Sequence, residues 1–323
     1  MTSSYRSDVQ GLRAIAVLLV MIFHYDEKLL PSGFMGVDIF FVISGFLITH
    51  ILIKMKNSPL TVKDKVIEFY RSRIRRIVPA YVFMLIIVGV ISAALFLEAD
   101  YSIFSRSLEA SFWFNSNNFF ASYGSYFTPD TREQPLLHTW SLAIEMQFYL
   151  IYPLLFLIFP IKYLKHLVLF IALALVFYYQ QINDSNESSV YYSLLARLPA
   201  LLFGALPALY FINLNKKNRE MASIAGLILF LVALTVINKE ALYPGYYSLL
   251  PIVAAVLIII SSGSVLSKLL EKTTLVWIGA LSYSLYLWHW PVIAFFNYSV
   301  GEQWQGLFGG VAFILLTLML SFM

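Results

Sequence analysis

The sequence has no cysteine and little charge, with Asp, Glu, Lys and Arg making up only 12% of its 323 residues. The first absence excludes disulfide scaffolding and every form of thiol chemistry. The second excludes an ordinary soluble enzyme, in which about a quarter of the residues are charged. Disorder is excluded as well, because 60% of the chain is hydrophobic and disorder requires low hydrophobicity with high charge. No zinc-ligand spacing, glycine-rich phosphate loop or G-x-S-x-G elbow is present, so neither a metal site nor an ATP-driven machine is indicated. Internal repeats are missing too, which weakens an inverted-repeat transporter. The basic residues occur in a membrane context, so nucleic-acid recognition is not indicated.

What is present is one apolar run after another. Ten candidate membrane segments cover 11–27, 34–53, 77–97, 136–160, 164–180, 191–212, 221–237, 243–261, 276–298 and 307–323. The expected fold is all-α, a polytopic membrane helix bundle of about ten transmembrane helices forming one domain over residues 1–323. The last run, "FILLTLMLSFM", stops without a basic flank. The expectation is a longer natural protein, cut inside or just after the tenth helix.

Basic residues orient the segments. With the N-terminus inside, the 54–76 connection is cytoplasmic and carries Lys54, Lys56, Lys63, Lys65, Arg71, Arg73, Arg75 and Arg76. Acids such as Glu98, Asp100, Asp130, Asp184 and Glu187 then fall outside, as the positive-inside rule expects. The period Val66, Ile67, Tyr70, Ile74, Ile77 predicts an amphipathic helix on the inner face, where anionic lipid would attract it. The 98–135 connection reads as an outer loop. Its stretch "SFWFNSNNFFASYGSYF" suits contact with carbohydrate or, nearly as well, an interfacial aromatic belt.

Ionisable residues at membrane depth are the sharpest signals, because charge in hydrocarbon is costly and faces a bundle interior or cavity. Arg13 opens the first segment, where it lines a cavity or snorkels to phosphate. His24 lies eleven residues later, about 16 Å along a helix, and can accept a hydroxyl proton near neutral pH. A structural role bonded to a neighbouring helix fits His24 equally. Asp38 needs a partner, with His24 or an arginine the economical choice. Gly45 nearby reads as a close-packing position. His138, Ser141 and Glu145 share one face of the fourth segment, joined by Gln147. Ser282, Tyr286 and His289 share a face of the ninth, up to a bend expected near Pro291. Arg197 completes the set.

Five ordered motifs, "YRSDVQGLRAIAVLLVMIFH", "GFMGVDIFFVISGFLI", "FYRSRIRRIVPAY", "HTWSLAIEMQFYLIYPLL" and "WIGALSYSLYLWHWPVI", resemble acyltransferase family 3, the O-antigen acetylase-like membrane proteins. The resemblance covers essentially the whole chain. It implies a bacterial inner-membrane enzyme that takes an acyl group from cytoplasmic acyl-CoA, usually acetyl-CoA. The implied acceptor is a hydroxyl of a cell-surface or lipid-linked glycan on the outer side. Residue by residue, it implies that His24 is catalytic with Arg13 in the same motif, that Arg71, Arg73 and Arg76 hold acyl-CoA phosphates, and that Glu145 is the fourth-helix glutamate. One departure stands out: where the family often has a glutamate three residues after the arginine, this chain has Ala200 after Arg197, with Gly204 retained. Many members continue into a basic stretch or a periplasmic SGNH-type domain, and the resemblance implies such a domain or partner beyond residue 323.

Together these readings predict a scheme. His24, oriented by Asp38 or Glu145, deprotonates the acceptor hydroxyl, or else forms an acyl-histidine. Arg197, Ser141, His138 or His289 binds substrate or the oxyanion. The alternatives are a proton-coupled transporter and a non-enzymatic membrane subunit of glycan export.

Overall fold

The computed structural model describes residues 6–123, 129–182 and 187–322, and these contain helices but no strand. In chain order the helices are α1 (Ser7–Tyr25), α2 (Gly36–Lys56), α3 (Val62–Leu95), α4 (Glu98–Phe112), α5 (Ser116–Tyr123), α6 (Thr139–Ile158) and α7 (Ile161–Ile182). They continue with α8 (Glu187–Tyr191), α9 (Leu194–Leu209), α10 (Lys216–Val236), α11 (Leu249–Ile260), α12 (Val265–Leu270), α13 (Thr273–Val300) and α14 (Leu307–Ser321). Every one of the ten apolar segments contains a helix. Seven helices among the described residues are long and apolar enough to cross a bilayer, and Tyr246–Ile260 and Leu307–Ser321 are shorter apolar helices. The molecule is a polytopic helical bundle. Starts are set by local chemistry: Thr61, Asn215 and Ser264 each accept a hydrogen bond from the backbone N–H three residues on, capping α3, α10 and α12.

The chain forms two compact units. The first comprises residues 1–50, 161–185 and 195–283. Within it, α10 packs on α11, and α1 on α12. Both carboxylate oxygens of Asp8 accept hydrogen bonds from Arg6 at 2.7 Å, and Arg6 also donates to the Ile259 carbonyl at 2.8 Å. This binds the start of α1 to α11. The α2–α9 crossing is closer still. A Cβ on Gly45 would sit 1.8 Å from the Leu201 carbonyl oxygen, and one on Gly204 would sit 2.1 Å from that of Val42. Only glycine at both positions allows these backbones to touch.

The second unit comprises residues 51–160, 186–194 and 284–323. Here α3 packs on α4 and α6, and α5 on α6 and α8. Two differences from the sequence reading have physical causes. The amphipathic stretch near 66–77 is not a separate surface helix: α3 runs unbroken for 34 residues through Pro79 into the membrane span. A proline within a helix removes one backbone bond, which neighbouring groups in a bundle can offset. The 98–135 connection is largely helical, because Phe104, Ser107 and Ser111 form a buried face on α4. Part of its aromatic stretch turns inward. Asn117 is buried, and its side-chain oxygen accepts from Gln147 of α6 at 2.9 Å. Residues 124–127 of that stretch lie outside the described residues, as does Asp184. Near Pro291, α13 continues as helix to Val300.

Candidate functional site

In the first unit the glycine crossing sets the register of a buried ion pair. Asp38 lies seven residues before Gly45, and Arg197 seven before Gly204 (45 − 38 and 204 − 197). Seven residues are close to two helical turns, so two chains touching at the glycines also meet at the charges. Arg197 Nη1 donates to the two oxygens of Asp38 at 3.3 and 3.2 Å, and both side chains are about 1% exposed. The Tyr243 hydroxyl donates to the same carboxylate. The guanidinium also lies over the Tyr243 ring, 5.2 Å from its centroid. Asp38 therefore acts as the counter-ion of Arg197, the arginine option of the sequence reading.

His24 and Arg13 share a face of α1, since eleven residues are nearly three turns. Both are half-buried. Arg13 donates to Gln10 at 3.3 Å. The His24 ring lies 5.4 Å from that of Phe23. Phe23 meets Phe34 edge-on at 5.4 Å, and Phe34 meets Tyr243 at 5.0 Å. An aromatic run thus leads from the neighbour of His24 to the tyrosine on Asp38.

In the second unit the polar stripe of α6 meets α13. Ser141 Oγ and the Tyr286 hydroxyl lie 2.6 Å apart, and that hydroxyl also donates to the His138 carbonyl at 3.3 Å. His289 Nδ1 lies 2.7 Å from the Tyr286 carbonyl and 3.2 Å from that of Leu285. Two carbonyls can only accept, so Nδ1 carries a proton. His138 sits between, its ring centroid 5.7 Å from Tyr286 and 5.9 Å from His289. His138 is 1% exposed and His289 fully buried. Neither ring nitrogen of His138 makes a hydrogen bond of good geometry among the described residues, with the Leu287 backbone as a polar neighbour.

Below this stripe, Glu145 accepts a short hydrogen bond from the Tyr149 hydroxyl. Arg73 is close enough to interact electrostatically with Glu145, Tyr149 and Arg76. Of the three arginines singled out in the sequence, Arg73 is half-buried against this acid, while Arg71 and Arg76 are exposed. The helix that carries them is held to α6 through Tyr70, and the end of α2 is held there through Lys56. Tyr70 donates to the Leu150 carbonyl at 2.6 Å. Lys56, the last residue of α2, donates to the carbonyls of Phe156 and Phe159 at 2.9 and 2.6 Å, satisfying the open end of α6.

The structure therefore brings Asp38 and Arg197 together in one unit, and His138, Ser141 and His289 in the other, with Glu145 and Arg73 as a second pair there. Tyr149 and Tyr243 were not singled out by sequence, and Lys56 was read only as one of the basic residues of the inner connection. Tyr149 stands one turn from Glu145, a spacing that could have flagged it. Tyr243 and Lys56 reach partners far away in sequence and carry no local signal.

Comparison with known proteins adds three findings. A family model described as an acyltransferase domain matches residues 6–323. The O-acetyltransferase OatA of Staphylococcus aureus, in strain NCTC 8325 / PS 47 and in strain COL, is 33% identical over 319 residues, which cover 91% of this chain and 51% of that protein. SAS0844 from strain MSSA476, whose O-acetyltransferase name is provisional, is 33% identical over 314 residues, covering 90% and 51% respectively. The chain spans about half the length of the curated relatives it matches. No solved structure matches.

Proposed function

The chain belongs to the acyltransferase domain family, acyltransferase family 3, and from that membership we propose that it transfers an acetyl group from acetyl-CoA to a hydroxyl of a cell-envelope glycan. In this reading the protein sits in the bacterial inner membrane with its N-terminus in the cytoplasm, the donor arrives from the cytoplasm, and the acceptor is on the outer side. The name O-acetyltransferase carried by OatA supports the acetyl group and an oxygen acceptor. The carrying observation is the shared face of Arg13 and His24 on α1 in a chain matched end to end by the family.

His24 is the general base. It takes the proton of the acceptor hydroxyl, and the resulting oxygen nucleophile attacks the thioester carbonyl. The carbon–sulfur bond then breaks, and CoA leaves as the thiol once it regains a proton. A positioned base contributes about 10²–10⁴ in rate. Arg71 and Arg76, exposed on α3, offer charge-assisted bonds to the CoA phosphates, while Arg73 holds Glu145. In the second unit, the Ser141 hydroxyl and a ring N–H of His138 are the donors available to substrate, with His289 beside them. Arg197, committed to Asp38, supports the fold of α2 against α9.

The test uses purified protein in nanodiscs with radiolabelled acetyl-CoA and an envelope extract, beside His24→Gln. Label should enter a mild-alkali-labile glycan fraction with wild type and fall at least 100-fold in the variant. Near wild-type transfer by His24→Gln would end the base assignment. Label retained on acid-quenched protein would replace direct transfer with an acyl-histidine. Proton-coupled solute uptake without acetyl-CoA consumption would favour the transporter alternative.

A further inference from the structure

A cleft of about 270 Å³ opens in the first unit beside the end of α1, lined by Phe23, Glu27, Pro31, Asn238, Lys239 and Glu240, with Lys28 at its edge. We propose that this cleft is an acceptor subsite that takes one neutral pyranose ring. The inference rests on the glycan-acceptor reading above.

Three features carry it. First, the walls are built in advance. Ser32 donates to the Leu234 carbonyl at 3.0 Å, fastening the loop after α1 to α10. Gly33 lies so close to α1 that a Cβ there would be 2.4 Å from the Leu19 carbonyl oxygen and 2.7 Å from Phe23. The lining residue Phe23 is also held by Phe34. A preformed cleft lowers the ordering cost of binding. Second, its chemistry is that of a sugar site. Phe23 and Pro31 supply the apolar part of the lining, suited to the C–H face of a pyranose. The polar lining offers both acceptors and donors, Glu27 and Glu240 with Lys28, Lys239 and Asn238. Asn238 Oδ1 accepts from the backbone N–H groups of Glu240 and Ala241 at 3.0 Å, which leaves its amide N–H groups as donors. Two acids against two bases select no net ligand charge, whereas hydroxyls can pair with all of them. Third, the mouth yields easily. Lys239 Nζ lies 3.1 Å from Glu27, with Lys239 53% exposed and Glu27 25%. Such an exposed pair contributes about 0–1 kcal/mol, so ligand hydroxyls can replace it. Phe23 is the immediate chain neighbour of His24. His24 does not itself line the cleft, and its ring lies 5.4 Å from that of Phe23, which does.

Saturation-transfer-difference NMR on the protein in nanodiscs, with methyl β-D-glucopyranoside as neutral probe and glucuronic acid and glucosamine as charged ones, tests this without acyl transfer. Wild type should transfer saturation preferentially to the neutral glycoside. Glu240→Trp, which fills the cleft from an exposed position, should weaken that binding about tenfold, or about 1.4 kcal/mol. Lys217→Ala, at the far end of α10, is the control and should bind as wild type. Absence of transfer in wild type, equal transfer in Glu240→Trp, or preference for a charged sugar would each overturn the proposal. Acetyl transfer is scored separately. Glycoside binding without acetyl transfer keeps the cleft and removes the enzyme reading, while acetyl transfer unaffected by Glu240→Trp removes the cleft and keeps the enzyme.

Discussion

The buried polar group on α2 and α9 and the one on α6 and α13 differ in a way that separates scaffolding from chemistry. Asp38 has an arginine and a tyrosine on its carboxylate, and the arginine is additionally covered by the tyrosine ring. Charges this deep persist only when paired. The α6–α13 group is built of hydroxyls and imidazoles, and the buried His138 ring makes no hydrogen bond of good geometry among the described residues. An unpaired neutral group costs far less than an unpaired charge, so such a group can be held ready for a substrate. Paired charge marks the support, and the neutral imidazole cluster marks the reactive candidate.

That distinction can be broken by substitution. The largest expected effect is Arg197→Met, which strands the Asp38 carboxylate and should destabilise by about 3–5 kcal/mol. Thermal ramps followed by size-exclusion chromatography in detergent would show it as early loss of the monodisperse peak. The double variant Asp38→Leu/Arg197→Met should recover most of the loss. Wild-type melting by the single variant would remove the supporting role. Tyr243→Phe comes next, since it deletes one hydrogen bond to a charged acceptor, about 1.5–3 kcal/mol by the same readout. Tyr286→Phe removes a neutral hydroxyl and should cost about 1 kcal/mol, because Ser141 retains the His138 carbonyl at 3.1 Å. His138→Leu should change stability least, with no side-chain hydrogen bond of good geometry to lose, yet acetyl transfer should fall about 10²–10³-fold. A clear drop in its melting temperature instead would place His138 with the scaffold.

The fold was readable because burial in lipid writes itself into composition: each of the ten apolar runs holds a helix. Polar partners were harder. His138, Ser141 and Glu145 could be placed on one face because a single helix period joins them, and Tyr286 and His289 likewise. The Asp38–Arg197 pair spans 159 positions, so sequence could state only that Asp38 required a cation or an imidazole. The matched seven-residue offsets from Gly45 and Gly204 encode the answer, but only once the two glycines are known to touch. The 98–135 helices were missed because their apolar positions are interrupted by serine and asparagine. Asn117 and Ser111 are nonetheless buried, satisfied by α6 and by the start of its first turn.

The continuity of α3 has a mechanical consequence. Its 34 residues make a rod of about 51 Å, some 20 Å longer than the hydrocarbon core is thick. The arginine-bearing third and the membrane-crossing remainder are therefore one lever, in which a push on the head is felt along the span. Pro79 is the single point within that lever where a backbone bond is missing, and it lies just past the last arginine. Occupancy of the basic end could be transmitted as a tilt about this point, with Tyr70 and Arg73, anchored on α6, as the first contacts to register it.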